Sequence, residues 1–121
     1  MSPAGIHPKW YERHVRHFRH ALAALDVGDG AAACYNAYVA VMALARGILG
    51  HSPYGDLHIV KRLPSLVEEA LGGAPPEVRQ CAECLERKAF SDEGARCVKC
   101  AEVVANALYQ ALEKSPPSRS S

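Results

Sequence analysis

Apolar residues recur three and four positions apart along most of the chain, which is the pattern of amphipathic helices. The first predicted helix runs from about Pro8 to Asp26, and its apolar stripe consists of Tyr11, Val15, Phe18, Leu22 and Leu25. Pro8 suits the first turn of a helix, where a missing N–H group removes no hydrogen bond. Gly28 follows the stripe and predicts the end of the helix.

The second predicted helix, from Asp29 to Leu49, is apolar on nearly every side. Asp29 is a suitable N-cap, because its carboxylate can accept hydrogen bonds from the first turn. One face carries Tyr35, Tyr38, Met42, Ala45 and Leu49, and another carries Cys34, Val41, Leu44 and Ile48. Such a helix is expected either at the centre of a bundle or in contact with a second copy of the chain.

Three further helical segments complete the prediction. The third covers about Asp56 to Leu71, with a kink or restart at Pro64. The fourth runs from Pro76 to about Ala89, and the fifth from near Asp92 to near Lys114. Since no segment alternates as a strand would, we expect an all-α fold, a four- to five-helix up-and-down bundle over residues 8–114. Residues 1–7 form an N-terminal extension in this prediction, and the Pro/Ser-rich residues 115–121 form a disordered tail.

The composition of the chain argues against several classes of protein. A formal net charge of +1 is too small for a dedicated nucleic-acid-binding protein. No secretory signal pattern is visible at the N-terminus, and the uncharged run from Gly30 to Ala45 is too short to span a bilayer. We therefore expect a cytoplasmic protein without a membrane partner. Asn and Gln together number only four, which is typical of thermophilic proteins.

Two stretches of sequence resemble the HEPN family of small helical domains. The stretch GDGAAACYNAYVAVMALARGILG, residues 28–50, resembles that family's Gly–acidic turn followed by an Ala- and aromatic-rich helix, with Arg46 where the family usually has Lys. The stretch DLHIVKRLPSLVEEAL, residues 56–71, resembles its next element, and His58 matches the histidine there. The resemblance extends over about residues 8–114.

The resemblance implies a four- or five-helix bundle that is commonly a homodimer and often stands beside a small nucleotidyltransferase, in some cases as a toxin–antitoxin pair. Some members of the family are metal-independent RNases with an Arg-x(4–6)-His motif. Others lack that motif and are regarded as subunits that bind a nucleotide or a protein partner.

The RNase motif has two matches here, Arg46 to His51 and Arg13 to His20. Roughly one match is expected by chance in a chain of this composition. In the family the motif follows the segment that contains His58, and no histidine follows His58 in this chain. We therefore predict a non-catalytic binding subunit. The alternatives are an RNase that uses Arg46 and His51, and a structural dimerisation module.

Arginines and histidines supply the candidate phosphate-binding residues. Residues 7–20 hold Lys9, Arg13, Arg16 and Arg19 against Glu12 alone, together with four histidines. Cationic side chains bind phosphate without regard to sequence, although a solvated helix face would have the same composition. The predicted nucleotide- or phosphate-binding residues are Arg13, Arg16, His58, Arg79 and Arg87.

Four cysteines form two closely spaced pairs, Cys81 with Cys84 and Cys97 with Cys100. On an antiparallel helical hairpin, one register joins Cys84 to Cys97 and Cys81 to Cys100, which predicts two structural disulfides. The alternatives are a zinc site made by all four cysteines, or free thiols packed as small apolar residues. Cys34 is expected to be buried and inert. No cofactor is expected other than this alternative zinc ion.

Overall fold

The computed structural model describes residues 5–54 and 61–114, and these residues contain five α-helices. They are α1 (Pro8–Asp26), α2 (Gly30–Ile48), α3 (Leu63–Leu71), α4 (Pro76–Arg87) and α5 (Gly94–Lys114). The described ranges contain no strand. The all-α prediction is therefore confirmed, and each helix except α3 has ends close to those expected from the sequence.

The hairpin of α1 and α2 depends on local capping. The imidazole of His7 accepts a hydrogen bond from the backbone N–H of Lys9 and caps the start of α1. Gly28 adopts a φ of 80°, which favours glycine, and reverses the chain after α1. The carboxylate of Asp29 then accepts from the N–H of Ala32 and caps α2, as the sequence predicts.

Helix α3 begins later than the sequence suggests. Pro64 lies in its first turn, so this proline starts the helix instead of kinking a longer one. The backbone N–H of Leu63, at the start of α3, donates a hydrogen bond of 2.7 Å to the carboxylate of Glu86. The acceptor for this N–H group therefore comes from α4 and not from an N-cap side chain. The earlier part of the predicted third helix, with His58, lies outside the described residues, as does the predicted tail over residues 115–121.

Helix α2 is the centre of the bundle and contacts each of the other four helices. It lies beside α5 with the two N-terminal ends together, where a Cβ on Gly94 would come within 3.0 Å of Ala33 Cβ. By length and composition α2 is the one helix in the described part of the chain that is able to cross a membrane, but half of that span is buried inside the bundle. The uncharged run alone falls short of that length, whereas the helix continues to Ile48.

A disulfide joins α2 to α5. It connects Cys34 with Cys97, whose Cα atoms are 5.1 Å apart, and both residues are fully buried. The remaining cysteines, Cys81, Cys84 and Cys100, are free thiols. This pairing differs from both disulfides expected from the sequence, and it makes Cys34 a structural residue instead of an inert one.

The geometry of α5 explains the difference. Residues three apart lie about 60° apart around a helix, so Cys97 and Cys100 point toward different neighbours. Cys97 faces α2, and its sulfur lies 3.7 Å from the carbonyl oxygen of Lys88, beyond the end of α4. Cys100 faces α4, where its thiol lies beside the thiols of Cys81 and Cys84.

Candidate functional site

The exposed side of α1 forms an open groove of about 570 Å³. The described residues that line it are Pro8, Tyr11, Glu12, Val15, Arg16, Arg19 and His20. These residues share one side of the helix because they recur three and four positions apart. The groove therefore combines two guanidinium groups and an imidazole with the ring of Tyr11.

The charges in the groove are only partly balanced. The guanidinium of Arg16 lies 3.5 Å from the carboxylate of Glu12, one helical turn away. The side chains of Arg16 and Glu12 are 50% and 64% exposed, so water screens this ion pair and it contributes little to the stability of the fold. Arg19 adds a further positive charge at the C-terminal end of the groove, beside the imidazole of His20.

Behind the groove, the buried side chain of His14 is hydrogen-bonded to Ala40 and Tyr109. His14 is 2% exposed, and its Nδ1 lies 2.8 Å from the carbonyl oxygen of Ala40. A carbonyl can only accept, so Nδ1 carries the proton and Nε2 is an acceptor in the neutral ring. The hydroxyl of Tyr109 donates to Nε2 over 2.5 Å. Burial lowers the pKa of His14, and the hydrogen bond to Ala40 opposes this effect only in part.

Tyr109 also lies beside Tyr11, which lines the groove. Burial, followed by the neighbouring Tyr11 hydroxyl, raises the pKa of Tyr109 to about 12. Tyr109 thus stays protonated and keeps its O–H directed at His14. Because Tyr11 lines the groove, the contact with Tyr109 supports this aromatic side of the groove from behind.

The five predicted phosphate-binding residues are not brought together. Arg16 lies in the groove, whereas the guanidinium of Arg13 lies 5.0 Å from the centroid of the Trp10 ring. Arg79 and Arg87 are on α4, which makes no contact with α1 in the described ranges. Arg79 also shares its surface cleft with Glu68 and Glu69, whose carboxylates repel phosphate. His58 lies outside the described residues.

The Arg46–His51 pair is close enough to interact. Arg46 Nη1 lies 3.4 Å from His51 Nδ1 at the end of α2. The carbonyl oxygen of His51 accepts a hydrogen bond of 2.7 Å from the indole N–H of Trp10, which fixes the backbone there. The other match to the RNase motif is not comparable, since Arg13 lies against Trp10 and His20 lines the groove.

The structure does not place the four cysteines of the alternative zinc site in one cluster. Cys97 is bonded to Cys34, so it is not available beside the other three thiols. Burial, followed by contact with Cys81 and Cys84, raises the pKa of Cys100 to about 12. Over residues 5–54 and 61–114, no group of three or more His, Cys, Asp or Glu side chains is arranged to hold a metal ion.

Sequence reasoning missed the buried pair of His14 and Tyr109. His14 was counted with the histidine-rich stretch, although it lies three residues after Tyr11 and four before Phe18 on the apolar stripe. That spacing was the available signal for burial. Its partner Tyr109 is 95 residues away, and nothing local indicates the contact.

No protein family, no curated protein and no solved structure matches this chain. The resemblance to HEPN domains therefore stays a prediction from the sequence of residues 28–50 and 56–71.

Proposed function

We propose that the protein is a non-catalytic, HEPN-like binding subunit that pairs with a second copy and binds either a nucleotide or a small nucleotidyltransferase partner, as in a toxin–antitoxin system. The observation that carries the proposal is the α1 groove, in which Arg16, Arg19 and His20 lie beside the ring of Tyr11. Phosphate is bound by guanidinium groups through charge-assisted hydrogen bonds. A nucleobase is bound by stacking on an aromatic ring.

The arrangement behind the groove supports binding instead of catalysis. Tyr11 is in contact with Tyr109, which in turn is hydrogen-bonded to the buried His14. His14 is enclosed, so it is unable to exchange a proton with a ligand in the groove. In this proposal His14 holds Tyr109 in place and, through it, Tyr11. When a ligand binds, a side chain that is already held in one position loses less conformational entropy.

Calorimetric titration with ATP, ADP and AMP tests the nucleotide branch. A double variant, Arg16→Ser with Arg19→Ser, is expected to weaken binding by about tenfold or more for each arginine that contacts phosphate. The matched control is Arg96→Ser, because Arg96 is also exposed on a helix and has a carboxylate, Glu93, 3.7 Å away. Equal affinity in both variants would place the ligand elsewhere. Absence of nucleotide binding, combined with absence of any co-purifying partner, would remove the proposal.

A second candidate function has its own observation. The 3.4 Å contact between Arg46 and His51 brings together a guanidinium that is able to stabilise a phosphorane-like charge and an imidazole that is able to transfer protons. In this alternative the protein is a metal-independent RNase. The test is cleavage of a labelled RNA with and without a metal chelator, comparing wild type with His51→Ala. The substitution spares the backbone carbonyl that Trp10 uses, so an unchanged cleavage rate would exclude His51 as an acid or base.

A further inference from the structure

The α1 groove differs chemically at its two ends. Its N-terminal end is lined by Pro8, Tyr11 and Glu12, and its C-terminal end is lined by Arg19 and His20. At about 1.5 Å of rise per residue, Glu12 and Arg19 are roughly 10 Å apart along the helix axis. One end therefore offers an aromatic ring and a carboxylate, whereas the other offers a guanidinium and an imidazole.

The two ends give a bound nucleotide a direction. The carboxylate of Glu12 repels phosphate, whereas the guanidiniums of Arg16 and Arg19 attract it. These two arginines are three positions apart in the sequence and are therefore neighbours on the surface of the helix. A nucleobase stacks on an aromatic ring, and Tyr11 supplies that ring in the groove. A nucleotide bound here would therefore place its base at Tyr11 and its phosphates toward Arg19.

A base at Tyr11 lies beside the carboxylate of Glu12, which is the next residue in the chain and is 64% exposed. An ionised carboxylate accepts hydrogen bonds and donates none. Guanine has two adjacent donors on its Watson–Crick edge, N1–H and the exocyclic amino group, and one carboxylate is able to accept from both. Adenine has an acceptor nitrogen beside its amino group, and this nitrogen repels a carboxylate. The base end of the groove therefore matches guanine better than adenine.

We infer that the α1 groove selects guanosine di- and triphosphates, with Glu12 accepting from guanine and with Arg16 and Arg19 holding successive phosphates. A monophosphate has a single phosphate for the two guanidiniums, so it loses one of these contacts. The ion pair of Glu12 with Arg16 is compatible with this role, because it joins Oε1 of the carboxylate to the guanidinium over 3.5 Å. A carboxylate has about four lone-pair sites on its two oxygens, so acceptor sites remain for the base.

The inference rests on the nucleotide branch of the proposed function, and calorimetric titration with GDP, IDP, ADP and GMP tests it. GDP is expected to bind about tenfold more tightly than ADP, as for a bidentate contact with the edge of a base. IDP lacks the exocyclic amino group of guanine, and its affinity is expected to lie between those two. GMP is expected to bind about tenfold more weakly than GDP, since it makes one contact fewer with a guanidinium.

The variant Glu12→Gln tests the carboxylate directly. A carboxamide has one acceptor oxygen, and its NH₂ group faces the second donor of guanine, so the affinities for GDP and IDP should come within about twofold of each other. Glu12 is exposed, so the substitution spares the fold. The matched control is Glu102→Gln, because Glu102 is exposed on α5 and does not line the groove, and it is expected to keep the wild-type preference.

The outcomes separate the choice of base from nucleotide binding itself. A preference for GDP that Glu12→Gln removes and Glu102→Gln keeps supports the inference. Equal affinity for GDP and ADP, or a preference for ADP, overturns the inference and leaves nucleotide binding standing. A preference for GDP over IDP that persists in Glu12→Gln overturns the role of the carboxylate. Absence of binding for all four nucleotides overturns both the inference and the nucleotide branch of the proposed function.

Discussion

Removal of the Cys34–Cys97 disulfide is expected to lower stability by a large and calculable amount. The bond closes a loop over a sequence separation of 63 residues. In the chain-entropy description a loop of that length corresponds to about 4 kcal/mol of the free energy of unfolding at 25 °C. For a chain of 121 residues this change lowers the melting temperature by about 15 °C.

The assay compares wild type with Cys34→Ala plus Cys97→Ala in urea and in thermal melts, with and without reductant. The matched control is Cys81→Ala, which removes a half-buried free thiol and is expected to change the free energy of unfolding by no more than about 1 kcal/mol. Reductant should destabilise the wild type and the control, and should leave the double variant unchanged.

Peptide mapping checks the pairing directly, since trypsin places Cys34 and Cys97 in separate peptides. Cleavage after Arg19, Arg46, Arg96 and Lys99 places Cys34 in residues 20–46 and Cys97 in residues 97–99. The structure predicts that these two peptides are joined when the protein is digested without reductant. A peptide of residues 80–87 joined to residues 97–99 would refute the pairing, and an unchanged melting temperature on reduction would refute the calculated magnitude.

The remaining predictions concern the core. Burial lowers the pKa of His14, so the unfolded chain takes up a proton on this histidine at a higher pH than the folded protein does. The free energy of unfolding should therefore fall as the pH drops below about 6.5. Urea titrations across that range should show a shallower fall in His14→Gln. Tyr109→Phe should cost about 1–3 kcal/mol in urea unfolding, since it leaves Nε2 of His14 buried without its donor, and a loss near zero would contradict this. Gly30→Ala should lower the free energy of unfolding by about 1–3 kcal/mol despite alanine's better helix propensity, because the new Cβ would lie 2.0 Å from the carbonyl oxygen of Asp92. A stabilised variant in the same assay would show that the backbone at Asp92 moves aside without an energetic cost.

The helices were predictable because their signals are local. The stripe from Tyr11 to Leu25, the cap at Asp29 and the glycine at position 28 are read within a few residues of the feature that they determine. Pro64 was ambiguous for the same reason, because a proline in the first turn and a proline at a kink have the same neighbours in sequence.

The cysteine pairing was not predictable from spacing. Two pairs with equal spacing suggested a hairpin register for α4 and α5, but spacing does not show which neighbour each side chain faces. Cys97 faces α2 because Gly30 and Gly94 let the N-terminal ends of α2 and α5 approach closely, with a Cβ at Gly94 only 3.0 Å from the Cα of Gly30. That close approach depends on the whole bundle.

The groove was predictable in part. Arg16 was identified from the local excess of positive charge, and it does lie in the groove. Arg13 was identified by the same reasoning, but its guanidinium packs over the ring of Trp10, one helical turn earlier, and it does not line the groove. Charge counting finds a basic segment, whereas the direction of each side chain decides which cations share a surface.

Native mass spectrometry of the untagged protein, purified from its own host without reductant, tests the proposed binding function most directly. We predict two copies of a 13.1 kDa chain, each lighter by two hydrogens for one disulfide, together with a bound nucleotide or a small nucleotidyltransferase. A bare chain with neither ligand nor partner, whose RNA cleavage is lost in His51→Ala, would contradict the account and establish the enzyme instead.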